Sequence, residues 1–162
     1  MENDELFKWL SPILVGLISA ALASFLALRK FKKEKVWDER RSAYKEVIES
    51  VEELIYWSEQ VRANYFCEPV IGVQANFDKS IRKISKFSAT GSFIFSEKFH
   101  ETLKQANLKI KRLMFEIEED SKPDLGSEAE MASWKLALAK GIREVLEESL
   151  PTLIKLANKD KT

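Results

Sequence analysis

The chain has 162 residues, and its 26 lysines and arginines are balanced by 26 aspartates and glutamates. A net charge of zero gives no basis for nucleic-acid binding, which normally leaves a basic excess. One cysteine excludes an internal disulfide, one histidine is a poor start for a metal centre, and nothing in the sequence calls for a cofactor.

Trp9 to Leu28 is a run of twenty residues without a charge, WLSPILVGLISAALASFLAL. At about 1.5 Å per residue, about 20 residues cover a hydrocarbon core of about 30 Å, so the run predicts a membrane-spanning helix. A cleaved signal would open on positive charge, whereas Glu2, Asp4 and Glu5 precede this run against Lys8 alone. After it come Arg29, Lys30, Lys32, Lys33 and Lys35 against the single anion Glu34. Basic flanks collect on the cytoplasmic side. The expected topology is a single pass in a bacterial inner membrane, with residues 1–8 outside, 9–28 spanning, 29–35 a basic juxtamembrane stalk, and the rest cytoplasmic. Gly16, Ala20 and Ser24 recur at intervals of four, a spacing that lets two spans approach closely in lipid. Such a stripe would support self-association; the alternative is the ordinary richness of spans in small residues.

Residues 31–66 read as one long helix, with Trp37, Tyr44, Val47, Val51, Leu54, Ser58, Val61 and Tyr65 at intervals of three, four or seven. The span is expected to run into it. Its charge is uneven: residues 29–41 carry seven cations and three anions, while residues 46–59 carry Glu46, Glu49, Glu52, Glu53 and Glu59 and no cation. Pro69 and Gly72 are the expected breakers. A second helix over about 75–89 has an apolar stripe of Phe77, Ile81, Ile84 and Ser88. Opposite it lie Lys79, Arg82, Lys83 and Lys86, which read either as a solvated face or as a surface resting on anionic lipid or an acidic partner.

Phe93, Ile94 and Phe95 follow a turn at residues 90–92 and are expected to plug the end of the core, or else to dip into the bilayer surface. Ser96 is a good N-cap for a helix to about residue 119, in which Phe99, Leu103, Ala106, Ile110, Leu113 and Ile117 alternate three and four. Residues 120–126 read as a loop. Ser127 and Glu130 form a capping box for the last helix, whose stripe is Met131, Trp134, Leu138, Ile142 and Val145, with Leu146 and Leu150 beside it. Pro151 should kink or break it, leaving a short C-terminal helix and a frayed end over 159–162. The predicted fold is all-α: an N-terminal transmembrane helix, then an antiparallel bundle of about four helices over residues 36–158.

Glu97 and His100 have the i, i+3 spacing of a di-iron ligand pair, but that site needs the motif twice and no second histidine exists. Cys67 and His100 would have to meet to act as nucleophile and base, and no orienting motif accompanies them. Neither a catalytic constellation nor a metal site is predicted.

The segment from Val36 to Val47, VWDERRSAYKEV, follows directly on a span and a basic patch, and Phe95-Ser96-Glu97 opens a later helix. This resembles a loose group of small uncharacterised bacterial single-pass proteins with an N-terminal anchor, a Trp-x-x-Arg-x-x-x-Tyr helix and a helical cytosolic domain. The resemblance implies Trp37 near the membrane interface, Arg40 beside headgroups or a carboxylate, and Tyr44 in the first core layer. Two functions fit the whole. One is a membrane-anchored interaction or regulatory module, whose partners would be the lipid bilayer and either a protein or a second copy. The other is a self-associating membrane effector of the phage-defence or toxin-like kind.

Overall fold

The structure is a computed structural model that describes residues 2–70, 72, 75–121 and 127–160, with side chains described for 15–70, 72, 75–119 and 127–160. The expected loop over 120–126 begins later, since residues 120 and 121 are helical; its residues 122–126, the side chains of residues 9–14 of the apolar run, and the last two residues of the tail lie outside these. The described elements are four helices, α1 (Glu2–Tyr65), α2 (Phe77–Thr90), α3 (Glu97–Ser121) and α4 (Glu128–Lys159), with a 3-10 turn at Gly91–Phe93. The chain divides into two compact units, residues 1–40 and 41–162.

In the first unit, residues 2–40 are helical. Among the described residues no helix is long and apolar enough to cross a membrane. The part of the apolar run whose side chains are described, Val15 to Leu28, is fourteen residues and covers about 21 Å at about 1.5 Å per residue. Its large side chains, Val15, Leu17, Ile18, Leu22, Phe25, Leu26 and Leu28, are all exposed.

The second unit is an up-down-up-down bundle, and cross-helix pairs fix its order. Along α1 and α2, Glu46 meets Lys83 and Glu53 meets Ser80, so the partners descend as the first number rises. Between α2 and α3, Ser85 and Ser88 meet Asn107, and Ser88 also meets His100. Between α3 and α4, Lys109 meets Glu148 and Trp134 meets Ile117. The ring closes between α4 and α1, where Tyr65 meets Ser133, Glu59 meets Arg143 and Tyr44 meets Asp160. Each neighbouring pair is antiparallel, the arrangement short connections favour.

The starts of α2, α3 and α4 each carry a side-chain cap. Asn76 accepts from the Lys79 N–H, Ser96 Oγ from the Phe99 N–H, and Ser127 with Glu130 makes both bonds of a capping box. The end of α1 comes before the expected breakers. The Glu68 N–H bonds to the Ala63 carbonyl and the Cys67 N–H to that of Asn64, with Cys67 at φ 56°. This is a Schellman stop with a non-glycine residue in the left-handed position, and Pro69 follows two residues later.

The core holds Tyr44, Val47, Val51, Leu54, Ile84, Phe99, Leu103, Ile110, Leu138, Ile142, Leu146 and Leu153. The alternating stripe of α3 therefore faces inward, with Leu113 and Ile117 half-buried at its far end. On α4 the buried line is turned from the predicted one: Leu146 is buried, Val145 half-buried and Met131 exposed. Pro151 neither breaks nor ends the helix. It stands on the exposed side, and so does Glu147, whose carbonyl loses its i+4 donor; water can satisfy that group. The helix then carries Leu153 and Ala157 into the core. Within the expected frayed end, Lys159 is helical and Asp160 accepts the Tyr44 hydroxyl at 2.7 Å. Gly141 serves the close approach of α3 and α4, because a Cβ there would lie 2.7 Å from a Leu113 methyl.

The aromatic triplet after the turn splits. Phe95 is 5% exposed and packs on Tyr44, Phe87 and Phe99, whereas Phe93 is 91% exposed. The plug is Phe95 with the half-buried Ile94, and Phe93 takes no part in it.

Candidate functional site

The α1–α4 seam opens into a groove of about 520 Å³ lined by Ser58, Arg62, Phe66, Leu136, Ala139, Lys140, Arg143, Glu144 and Glu147. Ala139 is buried in the floor, and the exposed ring of Phe66 and half-buried Leu136 give apolar walls. Along it runs a chain of five alternating charges. The Arg62 guanidinium donates Nε to Glu59 at 2.8 Å and Nη2 to Glu68 at 2.6 Å. Arg143 donates Nη1 to the other oxygen of Glu59 and Nε to Glu147 at 2.7 Å.

Helix spacing sets up the local parts. Glu59 and Arg62 are one turn apart on α1, and Arg143 and Glu147 one turn apart on α4. Packing of the two helices then makes Glu59 the shared acceptor. The Arg62 hydrogen bond, helped by the charges of both arginines, holds the Glu59 carboxyl below the ordinary carboxylate range. Hydrogen bonding to Glu59 and then Glu68 raises Arg62, and bonding to Glu147 raises Arg143. The seam presents planar, pre-oriented guanidinium groups, each already paired with two carboxylates, beside an apolar floor, an arrangement suited to a peptide segment with an apolar anchor. Ser58 offers no nucleophile, because its hydroxyl donates to the Leu54 carbonyl at 2.9 Å.

A second polar cluster is structural. Ser85, Ser88 and Asn107 bond to one another, and His100 Nε2 lies 2.8 Å from the Ser88 carbonyl, to which it donates. His100 thus ties α3 to the end of α2. It sits at the bundle end where Ser96 meets Tyr44, whereas Cys67 is at the other end, 23 residues of helix and turn beyond Tyr44. At about 1.5 Å per residue the two are separated by roughly 30 Å, so they are not brought together. Among the described residues no group of three or more His, Cys, Asp or Glu side chains is placed to hold a metal ion.

The sequence-predicted basic residues divide. Arg29, Lys30, Lys32, Lys33 and Lys35 are exposed in the first unit, with Lys30 3.8 Å from Glu34. On α2, Lys79, Arg82 and Lys86 face outward, but Lys83 turns to the α1 seam and pairs with Glu46 at 3.0 Å. Lys83 thus stands at the α1 edge of the face the four share. Glu53 lies in the same seam, where the Ser80 hydroxyl bond chiefly, with the Asn76 N–H and nearby lysines, depresses its carboxyl. Gly16, Ala20 and Ser24 are exposed, and a Cβ on Gly16 would meet nothing within 4 Å.

Sequence reasoning did not find the α1–α4 groove. The i, i+3 and i, i+4 pairs were visible, but nothing in their spacing joins Glu59 to Arg143 across 84 positions. Comparison with protein-family models, with curated proteins and with solved structures finds no match to this chain.

Proposed function

We propose that this chain is a membrane-anchored helical interaction module, held by residues 9–28 at the cytoplasmic face of a bacterial inner membrane, that binds a protein partner in the α1–α4 groove. The groove is the observation that carries the partner reading: an apolar floor with arginines already oriented by fixed carboxylates, open to solvent. The anchor reading rests on the twenty-residue uncharged run and its basic flank. It is supported by a magnitude. Seven large apolar side chains between Val15 and Leu28 are exposed in the folded chain. At about 1.5–3 kcal/mol each, leaving them in water forgoes roughly 10–20 kcal/mol. That is as much as a whole domain's stability of about 5–15 kcal/mol, and lipid recovers it. The likeness to small anchored bacterial proteins with a Trp-x-x-Arg-x-x-x-Tyr helix belongs to this proposal.

The experiment is site-specific crosslinking of the full chain in its native membrane. A photoreactive residue at Leu136, in the groove, should trap one discrete protein, and the same probe at Lys155 should not. Identical products from both positions, or none from Leu136, refute the groove as the partner site.

A second reading, a self-associating membrane effector, is favoured by one observation. At 100° per residue, Gly16, Ser19, Ala20, Ala23, Ser24 and Ala27 fall on one side of the helix and the large apolar residues on the other. Gly16→Ile should then abolish depolarisation of cells overexpressing the chain. Cells that keep their potential with the parent chain exclude this reading.

A further inference from the structure

The charge balance of the whole chain conceals a strong local imbalance. From Lys79 to Phe115 there are nine cations and only two anions, Glu97 and Glu101, a net charge of plus seven in a chain whose total is zero. Three of those cations are committed to carboxylates: Lys83 to Glu46, Lys109 to Glu148 and Arg112 to Glu116. The rest stand outward on α2 and α3. The α1 segment 46–59, with five anions and no cation, gives another side of the bundle the opposite sign.

The same hairpin exposes three large apolar side chains: Phe93 at 91%, Phe115 at 63% and Leu108 at 49%. On α3, Lys104, Leu108, Lys111 and Phe115 follow at intervals of four, three and four, which places them in one stripe along the outer surface. Apolar and cationic groups therefore alternate there, whereas the α1–α4 groove gathers its apolar atoms into a floor. Phe93 is held outward by the tight turn: Gly91 packs so closely on Phe95 that a Cβ would come within 2.7 Å of its ring, and Phe95 takes the inward place.

We infer that the outer face of α2 and α3 docks on an anionic bilayer surface, with Phe93, Leu108 and Phe115 entering the headgroup layer and Arg82, Lys86, Lys104 and Lys111 at its phosphates. Charge complementarity selects an anionic surface, and the interleaving of long snorkelling cations with isolated apolar side chains selects a bilayer over a shaped protein pocket. The inference deepens the membrane reading above, and extends it to residues of α3 and the turn.

The test uses the full chain carrying Cys67→Ser and Phe93→Cys, labelled at the new thiol with an environment-sensitive fluorophore. The protein is reconstituted with phosphatidylcholine vesicles, or with vesicles containing phosphatidylglycerol as well. A label at Glu52→Cys, on exposed α1 surface, is the control. With phosphatidylglycerol, emission from position 93 should shift to the blue and quenching by neutral acrylamide should fall several-fold, with neither change on phosphatidylcholine alone. High salt, or the combination Arg82→Gln, Lys86→Gln, Lys104→Gln and Lys111→Gln, should reverse both, provided circular dichroism shows the helical content kept. Equal behaviour of position 93 in the two vesicle types, or an equal change at position 52, overturns the inference. Flotation on phosphatidylcholine vesicles after an alkaline wash tests the anchor separately. Loss from those vesicles refutes the anchor, while the label on phosphatidylglycerol still decides the face.

Discussion

Tyr44 joins three helices through one oxygen, which makes Tyr44→Phe a sharp test of the bundle geometry. Its hydroxyl donates to Asp160 Oδ2 at 2.7 Å, after the end of α4, and accepts the Ser96 N–H at 3.0 Å, at the start of α3. The ring itself packs on Phe95 and Phe99 at centroid distances of 4.8 and 4.6 Å. Phenylalanine keeps those ring contacts and removes both hydrogen bonds. A partly buried N–H left without an acceptor costs about 1–3 kcal/mol, and a bond to a carboxylate is worth about 1.5–3 kcal/mol before water replaces it. Asp160 is half-exposed and will regain water, so the expected loss is about 2 kcal/mol. For a bundle of this size that lowers Tm by roughly 6–10 °C. The assay is thermal unfolding of the full chain in mild detergent, followed by tryptophan fluorescence, with Asp160→Asn and the double variant completing a cycle. A loss below about 0.5 kcal/mol, or strictly additive single changes, would refute the three-way junction.

Leu103 is fully buried, so Leu103→Asp places an unpaired carboxylate in the core and should unfold residues 41–162; an unchanged Tm would refute the register of α3. Phe93→Ser should leave Tm within about 1–2 °C, since exposed changes stay within about 0.5 kcal/mol, while Phe95→Ser should cost about 3–5 kcal/mol as a core aromatic does; equal effects would refute the split. Glu53 and Glu59 are held below the ordinary carboxylate range, so the unfolded chain binds more protons than the folded one in acid. Their contribution is complete above about pH 5 and is lost as pH falls through their depressed values; with Glu53→Gln and Glu59→Gln together, an acid melting profile as steep as the parent's would refute it. Burial first, and then the bond to Asp160, raise the Tyr44 phenol, so its contribution is intact below about pH 10 and is lost as pH rises beyond. Tyr44→Phe should flatten that alkaline fall.

The helices were legible because their signals are local. The three-four alternation of α3, the capping box at Ser127 and the turn at residues 90–92 each specify backbone within a few residues, and each is where the sequence places it. The expected core members Tyr44, Leu54, Ile84, Phe99, Leu103 and Leu138 are buried for the same reason. What could not be read depends on contacts between distant segments. Lys83 resembles its neighbours on α2 until Glu46 of α1 lies beside it. Pro151 reads as a breaker because its sequence context does not reveal that its missing bond falls on the wet side of α4. Cys67 ends α1 although nothing in its chemistry marks it, since the left-handed position is normally filled by glycine or asparagine.

The order of the four helices has a consequence for how the protein is made. Three seams join helices that are neighbours along the chain, so they can zip as each segment emerges from the ribosome. The fourth joins α1 to α4, with Tyr44 waiting 116 positions for Asp160 and Glu59 waiting 84 for Arg143. Until Arg143 and Asp160 arrive, Glu59 and Tyr44 have no partner on α4. The groove lies on that long-range seam, so its walls come from segments that are far apart along the chain.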